Sequence, residues 1–206
     1  GNGTSTGLGA VTWANGSQGL VGTVSPSNSL TGTTPGDQVG GVGGVAALTN
    51  GHYVVQSGNW DNDSVADVGA VTWANGDTGL IGTVSPSNSL IGLTAGDRVG
   101  SGGSMRLANG NYVVCSSNWD NGTAVNAGAA TWASGSTGLT GVVSPTNSLV
   151  GSTTNDLVCL GGVTALSNGN YVVPSYQWDN GGTPDVGAAT WGDGTKGIVG
   201  AVGPGN

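Results

Sequence analysis

The sequence contains no glutamate and no phenylalanine, one histidine, two cysteines and only three basic residues among 206. A helical bundle would need Glu, Lys, Ala and Leu as helix formers, and abundant glycine would destabilise its helices. Three bases and a formal net charge of −8 exclude a phosphate-binding surface, so we expect no nucleic-acid partner. No apolar run approaches the ~20 residues needed to cross a bilayer, so we expect no membrane span.

Glycine supplies 43 of the residues, roughly three times its usual share. It does not recur at every third position, which excludes collagen. The remaining surface consists largely of Ser, Thr and Asn with almost no Lys. That composition is typical of exported proteins, and we expect an extracellular or cell-surface location.

Three sequence motifs recur at a fixed period. The Trp-Asp-Asn triplets that begin at Trp60, Trp119 and Trp178 are spaced by 59 residues. A Thr-Trp dipeptide and a Ser-Pro-Ser/Thr-Asn-Ser-Leu motif repeat at 59–60 residues. Internal repetition at such a period indicates a solenoid, a propeller or an array.

One repeat contains four short segments with strand character and a hairpin signal between the first two. Asn168-Gly169 predicts a type I′ turn, which requires positive φ at both central residues. In the third copy the predicted strands are 163–166, 171–173, 187–191 and 198–202. We therefore predict an all-β repeat fold of four-stranded antiparallel units of 59–60 residues, arranged as β-propeller blades.

The predicted domain organisation is a half unit followed by three repeats. Their bounds are 1–44 (the last two strands plus a linker), 45–103, 104–162 and 163–206, the last one shortened. Closed propellers usually have about four to eight blades. The alternatives are an open stack, a segment of a larger array, or closure by oligomerisation. Open strand edges favour self-association or contact with neighbouring repeats.

The stretches Leu-Ala-Asn-Gly-Asn-Tyr-Val-Val (107–114) and Gly-Ala-Val-Thr-Trp (69–73) resemble the FG-GAP repeat of integrin-type β-propellers. The units are still more similar to repeats of large bacterial surface adhesins of the filamentous-haemagglutinin-like type. This resemblance implies propeller blades and a surface role. It does not imply the calcium loop of integrin-type blades, because the hairpin has Asn50-Gly51-His52 and no acid there.

The Trp-Asp-Asn triplets are candidate glycan-binding residues. A Trp ring can stack on a sugar, while Asp and Asn can bind its hydroxyls, and repetition would give avidity. The alternative is that the rings pack between blades and the Asp closes its own loop as an Asx turn. The candidate residues are Trp60, Asp61, Asn62, Trp119, Asp120, Asn121, Trp178, Asp179 and Asn180.

Asp61, Asp63 and Asp67 form a candidate calcium loop, since they place carboxylates at its first, third and seventh positions. Such an ion would be structural, and a loop held by Asx turns needs none. We expect no other cofactor.

Catalysis finds little support in the residue types present. His52, the one histidine, occupies a hairpin turn where the other copies have Asn111 and Asn170. Paired-carboxylate chemistry would depend on Asp alone.

The Thr-Trp residues Trp13, Trp73, Trp132 and Trp191 are predicted to fill the core.

Cys115 and Cys159 are too few for a disulfide framework and match no zinc spacing. They are interpreted either as two buried thiols or as one disulfide between neighbouring strands.

Together these observations predict a non-catalytic extracellular repeat module with a structural or adhesive role at a bacterial surface or in a fibre. The alternative is a multivalent lectin that uses the Trp-Asp-Asn loops.

Overall fold

The computed structural model describes residues 6–206, and within that range every helix or strand assigned is a β-strand. Residues 1–5, which begin the predicted half unit, lie outside the described residues. No helix in the described range is long and apolar enough to cross a membrane. The strands are β1 Ala10–Val11, β2 Leu30–Thr31, β3 Gly43–Ala47, β4 Tyr53–Ser57, β5 Ala70–Ala74, β6 Gly82–Thr83, β7 Ser89–Ile91, β8 Ser104–Arg106, β9 Tyr112–Ser116, β10 Ala129–Ala133, β11 Gly141–Val142, β12 Leu149–Val150, β13 Thr164–Ala165, β14 Tyr171–Ser175, β15 Ala188–Gly192 and β16 Gly200–Ala201.

The strands form four sheets that follow the sequence repeat. Their strand orders are β1-β2-β6, β11-β7-β5-β4-β3, β16-β12-β10-β9-β8 and β13-β14-β15. In the second sheet, β3, β4, β5 and β7 pair antiparallel in turn. The third sheet repeats this pattern with β8, β9, β10 and β12. The predicted all-β repeat of four antiparallel strands is therefore confirmed, while propeller closure stays a prediction.

The fourth strand of each repeat is not the one that the sequence predicts. The predicted segment 198–202 contains β16, which pairs in parallel with β12 of the preceding repeat. β6 and β11 pair in the same way with β2 and β7. The fourth antiparallel strand instead comes from the end of the Ser-Pro-Ser/Thr-Asn-Ser-Leu motif, where Asn88 closes a turn by accepting the Ser85 N–H at 2.9 Å. Each repeat thus contributes one strand to the sheet before it.

The hairpin between the first two strands has a three-residue loop. Leu166 N–H donates to the Asn170 carbonyl at 2.8 Å, and Gly169 N–H donates to the Leu166 carbonyl at 3.0 Å. Gly169 has φ 89° and is the left-handed residue of the loop. The predicted two-residue type I′ turn is therefore wrong, because a type I turn followed by a left-handed glycine is the preferred geometry at this loop length.

The core lies between repeats as well as within them. One apolar cluster joins Val71 and Leu90 of one repeat to Trp119 and Val143 of the next. Val143 follows the strand that crosses to the preceding sheet, so strand exchange brings its side chain into that cluster. A repeat consequently buries its apolar face against its neighbours, as in other repeat architectures.

Candidate functional site

The rings of the Trp-Asp-Asn triplets are buried. Their exposed fractions are 3% for Trp60, 5% for Trp119 and 8% for Trp178. Each belongs to an apolar core cluster. A ring that stacks on a sugar needs an exposed face, so the structure corrects the glycan-contact prediction for these three residues and favours the packing alternative.

The Asp of each triplet joins two repeats through hydrogen bonds. Asp120 N–H donates to Oδ1 of Asp97 at 3.0 Å, and Asp97 is 1% exposed and belongs to the preceding repeat. The Asp120 side chain in turn accepts the Asn126 N–H at 2.8 Å, which closes its own loop. The same arrangement links Asp37 to Asp61 and Asp67, and Asp156 to Asp179 and Asp185.

The buried carboxylate at this junction is well supplied with donors. Asp97 Oδ2 accepts the N–H groups of Leu93 and Thr94, both at 2.8 Å. Burial nevertheless raises the pKa of Asp97 above its ordinary value, because desolvation penalises the charged form more than these hydrogen bonds favour it.

The candidate calcium residues do not converge. Asp61 accepts the backbone N–H of Asp67 at 2.7 Å, and the Asp67 carboxylate faces Arg98 at 3.4 Å. Across residues 6–206, no three His, Cys, Asp or Glu side chains form a group that could hold a metal ion. The calcium prediction at Asp61, Asp63 and Asp67 is therefore corrected: hydrogen bonds and left-handed φ values of 55° at Asp63 and 53° at Asp67 shape the loop.

The triplet asparagines also make hydrogen bonds. Asn62 exchanges two backbone hydrogen bonds of 3.0 Å with Val65. The Asn121 side chain donates to the Gly151 carbonyl at 2.9 Å, whereas Asn180 is exposed. These contacts are local or structural, and no shared ligand-facing arrangement results.

The Thr-Trp residues form a regular contact between repeats. Nε1 of Trp13, Trp73 and Trp132 donates to the carbonyl of a glycine in the next repeat, at 2.8, 2.8 and 2.9 Å. The acceptors are Gly76, Gly135 and Gly194. These three rings are half-buried, but Trp191 is 53% exposed, so the core prediction is wrong for the fourth member.

Each acceptor glycine lies in a five-residue turn that we call the tip turn. The tip turns are residues 15–19, 75–79, 134–138 and 193–197, and each is closed by a backbone bond from its last N–H to its first carbonyl. The Gly135 carbonyl also accepts Nδ2 of Asn50 at 2.9 Å. A methyl group at the closing glycine would meet the donor ring: one added at Gly79 would lie 2.7 Å from Cβ of Trp13. A tip turn is thus shaped to receive an indole ring.

A family model described as a repeat of unknown function (DUF5650) matches residues 1–41, 47–101, 106–159 and 165–206. The chain belongs to the DUF5650 family. No curated protein and no solved structure gives a significant match to it. The tip-turn contacts described above therefore join successive DUF5650 repeats.

The histidine of the first complete DUF5650 repeat has a structural position. Nδ1 of His52 accepts the N–H of Gly76 at 3.1 Å, and its ring lies edge-on to Trp73 with centroids 5.0 Å apart. Asn111 Oδ1 accepts the equivalent N–H, that of Gly135, at 3.0 Å in the next repeat. His52 thus replaces an asparagine as a hydrogen-bond acceptor at the tip turn.

The two cysteines of the DUF5650 array form a disulfide, with Cα atoms 5.3 Å apart. Cys115 lies in β9, and Cys159 lies in the loop that leads to the next repeat. Of the two interpretations left open by the sequence, the structure has the disulfide. It ties a central strand to the junction between two DUF5650 repeats.

Sequence reasoning missed the junction residues of the DUF5650 repeat. The hydrogen bond from Trp73 to Gly135 spans 62 residues, so only a comparison of adjacent copies could suggest it. The signal present in the sequence is the constant spacing of Thr-Trp and the glycine that follows in every copy. That spacing fits a contact between the indole ring of one repeat and the tip turn of the next.

Proposed function

We propose that this DUF5650 chain is a non-catalytic structural module with an adhesive role at a bacterial surface or in an extracellular fibre. The observation that carries the proposal is the exchange of strands between repeats. β6, β11 and β16 each pair with the sheet of the preceding repeat. A polypeptide whose repeats share sheets resists separation of its units.

Three separate contacts cross each complete junction and support a structural role. At the junction between the first two complete repeats, Val143 N–H donates to the Ile91 carbonyl at 3.1 Å. Trp73 donates to Gly135, and Asp97 accepts from Asp120. To part these repeats, all three would have to break together with the apolar cluster between them. Such coupling favours cooperative unfolding of the array.

The disulfide and the surface composition support the extracellular setting. Disulfides persist in oxidising compartments and are rare in the cytosol. The resemblance to FG-GAP blades and to filamentous-haemagglutinin-like adhesins supports the adhesive role and the bacterial surface. His52 and the triplet Asp residues are occupied by structural hydrogen bonds, which supports a role without catalysis.

Antibody labelling and a cell-attachment assay in the organism that makes the protein test this proposal. We expect antibodies against the chain to label intact cells or shed fibres, and we expect deletion of the gene to weaken attachment to a surface or to other cells. Restoring the gene should restore attachment. Labelling that requires cell lysis, or attachment unchanged by the deletion, would overturn the proposal.

A further inference from the structure

Two clefts of matching composition lie at successive junctions between repeats. The first has a volume of about 260 Å³ and is lined by Trp73, by residues of its own tip turn 75–79 and by residues at the next tip turn, 134–138. The second has a volume of about 360 Å³ and is lined in the same way by Trp132 and by residues at the tip turns 134–138 and 193–197. We call them the first cleft and the second cleft. Because each forms where one repeat meets the next, the clefts follow the repeat of the sequence.

A half-buried indole ring lines each cleft. Unlike the triplet rings, Trp73 and Trp132 keep part of their surface accessible. Their Nε1 groups are already bound to glycine carbonyls of the next tip turns, so the accessible part of each ring is apolar. Leu80 and Leu139 line the first cleft beside Trp73, and Leu139 and Ile198 line the second beside Trp132. Aromatic and aliphatic walls of this kind are typical of sites that bind small molecules.

A firmly held side-chain amide also lines each cleft. Asn88 Oδ1 accepts the Ser85 N–H at 2.9 Å and the Ser89 hydroxyl at 2.8 Å. Asn88 Nδ2 donates to the Thr83 carbonyl at 2.9 Å. Asn147 lines the second cleft and is held by three equivalent bonds. An amide nitrogen carries two N–H groups, and within the described part of the chain each asparagine uses one of them. The other is a preorganised donor for a ligand.

The charges at the clefts favour a neutral ligand. The residues of the described chain that line the first cleft include no Asp, Glu, Lys or Arg, and those that line the second include Lys196 alone. A single ring without a carboxylate beside it is a poor site for a cation. A chain with a formal net charge of −8 repels a polyanion. The ligand that fits has an apolar face, groups that accept hydrogen bonds and no charge, and a neutral sugar has all three properties.

The strands next to the clefts are poorly suited to bind a peptide. β6 and β11 are edge strands of their sheets. An extended peptide that binds such an edge adds a strand through backbone hydrogen bonds. Here the Thr83 carbonyl of β6 is occupied by Asn88, and the Val142 carbonyl of β11 is occupied by Asn147, at 2.9 Å in both cases. A sugar needs no such edge, so these contacts favour a carbohydrate over a peptide.

We propose that the two clefts bind successive segments of one neutral polysaccharide. In each cleft a sugar ring lies against the indole, and a sugar hydroxyl accepts the remaining N–H of Asn88 or Asn147. This inference rests on the proposed adhesive function and names the class of its ligand. Because one polymer engages both clefts of a chain, the second contact is intramolecular, and the polymer binds more tightly than a single sugar does.

Affinity electrophoresis of the 206-residue chain tests the inference, in native gels that contain dextran, a soluble β-glucan, mannan or galactan. We expect at least one of these neutral polysaccharides to retard the wild type, and we expect heparin not to. The same polysaccharide should shift the tryptophan emission of the wild type, a measurement that needs no variant.

Two substitutions that fill the clefts locate the binding site. Thr140→Arg and Val199→Arg place long side chains at exposed positions that line the first and the second cleft. The double variant should lose at least tenfold in polysaccharide affinity, and each single variant should lose less. Thr123→Arg combined with Val125→Arg is the matched control, because it makes the same changes at exposed positions of a triplet loop outside both clefts. The control should bind like the wild type.

Several outcomes would overturn the inference. They are a wild type that none of the four neutral polysaccharides retards, retardation by heparin alone, and a folded double variant that is retarded like the wild type. Circular dichroism establishes that each variant keeps the wild-type fold. A peptide selected from a random library on the wild type and lost on the double variant would assign the clefts to a peptide and overturn the inference too. Cell attachment that depends on the gene, from a chain that binds no polysaccharide, would refute this ligand class and leave the proposed function standing.

Discussion

Cys159 lies beside Ala130 where the two preceding junctions have a glycine beside a valine. Cys159 and Ala130 belong to the same apolar cluster. Gly100, the equivalent of Cys159, has no room for a side chain, because a Cβ there would collide with Cγ2 of Val71. Cys159 has φ 71°, close to the 82° of Gly100, so both residues have left-handed φ values. The alanine therefore provides the space that the disulfide requires.

Ala130→Val should destabilise the disulfide-bonded protein. The added methyl groups would occupy the space of Cβ of Cys159, and overpacking of this kind costs about 1–3 kcal/mol of unfolding free energy. The same substitution in a Cys115→Ala/Cys159→Gly background restores the glycine-valine pair of the other junctions and should cost less than about 0.5 kcal/mol. Urea denaturation of the four proteins measures both values. An equal cost in the two backgrounds would contradict the conclusion that Ala130 provides the space for Cys159.

Proline substitutions at Val142, the last residue of β11, and at Val143, which follows it, test the strand exchange. Val143 N–H donates to the Ile91 carbonyl, whereas β11 is the edge strand of its sheet and the N–H of Val142 points away from β7. Val143→Pro should therefore lose about 1–3 kcal/mol of unfolding free energy more than Val142→Pro. Denaturant unfolding of both variants provides the comparison, with Val143→Ala and Val142→Ala as references for lost packing, because Val143 is buried and Val142 is 39% exposed. If both prolines were equally tolerated, the parallel pairing between repeats would not contribute to stability.

The sequence predicted the parts of the fold that local patterns determine. The segment 171–173, Tyr-Val-Val, became the central strand of its sheet, and the stretch that ends in Thr-Trp became the strand beside it, because β-branched and aromatic residues favour strands. The partner of β16 was not predictable in this way, since its two residues pair across the repeat boundary. Burial of Trp60 was likewise a question of tertiary packing, and only the alternative interpretation of that motif anticipated it.

His52→Asn should preserve stability, while His52→Ala should not. Asn supplies the acceptor that Asn111 and Asn170 supply to the equivalent tip turns. Alanine leaves the Gly76 N–H without that acceptor, at a cost of about 1 kcal/mol. Thermal or urea unfolding of the two variants measures the difference. A His52→Asn variant as unstable as His52→Ala would show that packing on Trp73, and not the hydrogen bond, sets the role of this residue.

Alkaline pH should destabilise the fold through its buried tyrosines. Burial raises the pKa of Tyr171 to about 12 and also raises the pKa values of Tyr53 and Tyr112. In the unfolded chain these groups ionise near 10, so above about pH 10 the unfolded state releases protons first and stability falls as pH rises. Tyrosinate absorbance should therefore increase together with loss of the circular dichroism signal.

Tyr171→Phe is the control for the alkaline transition. It removes one group whose ionisation the fold opposes, so the decline in stability above pH 10 should be shallower than in the wild type. Tyrosinate absorbance that develops fully while the protein stays folded would contradict the expectation.

Shared sheets also constrain how such a polypeptide can vary in length during evolution. A deletion that removes part of a period leaves either a strand without the sheet it joins or a sheet without the strand it receives. Gain or loss of whole periods leaves every surviving boundary with its usual partners. Genes that encode such chains should therefore differ mainly by complete multiples of one period, with smaller insertions confined to loops such as residues 40–42, which precede β3.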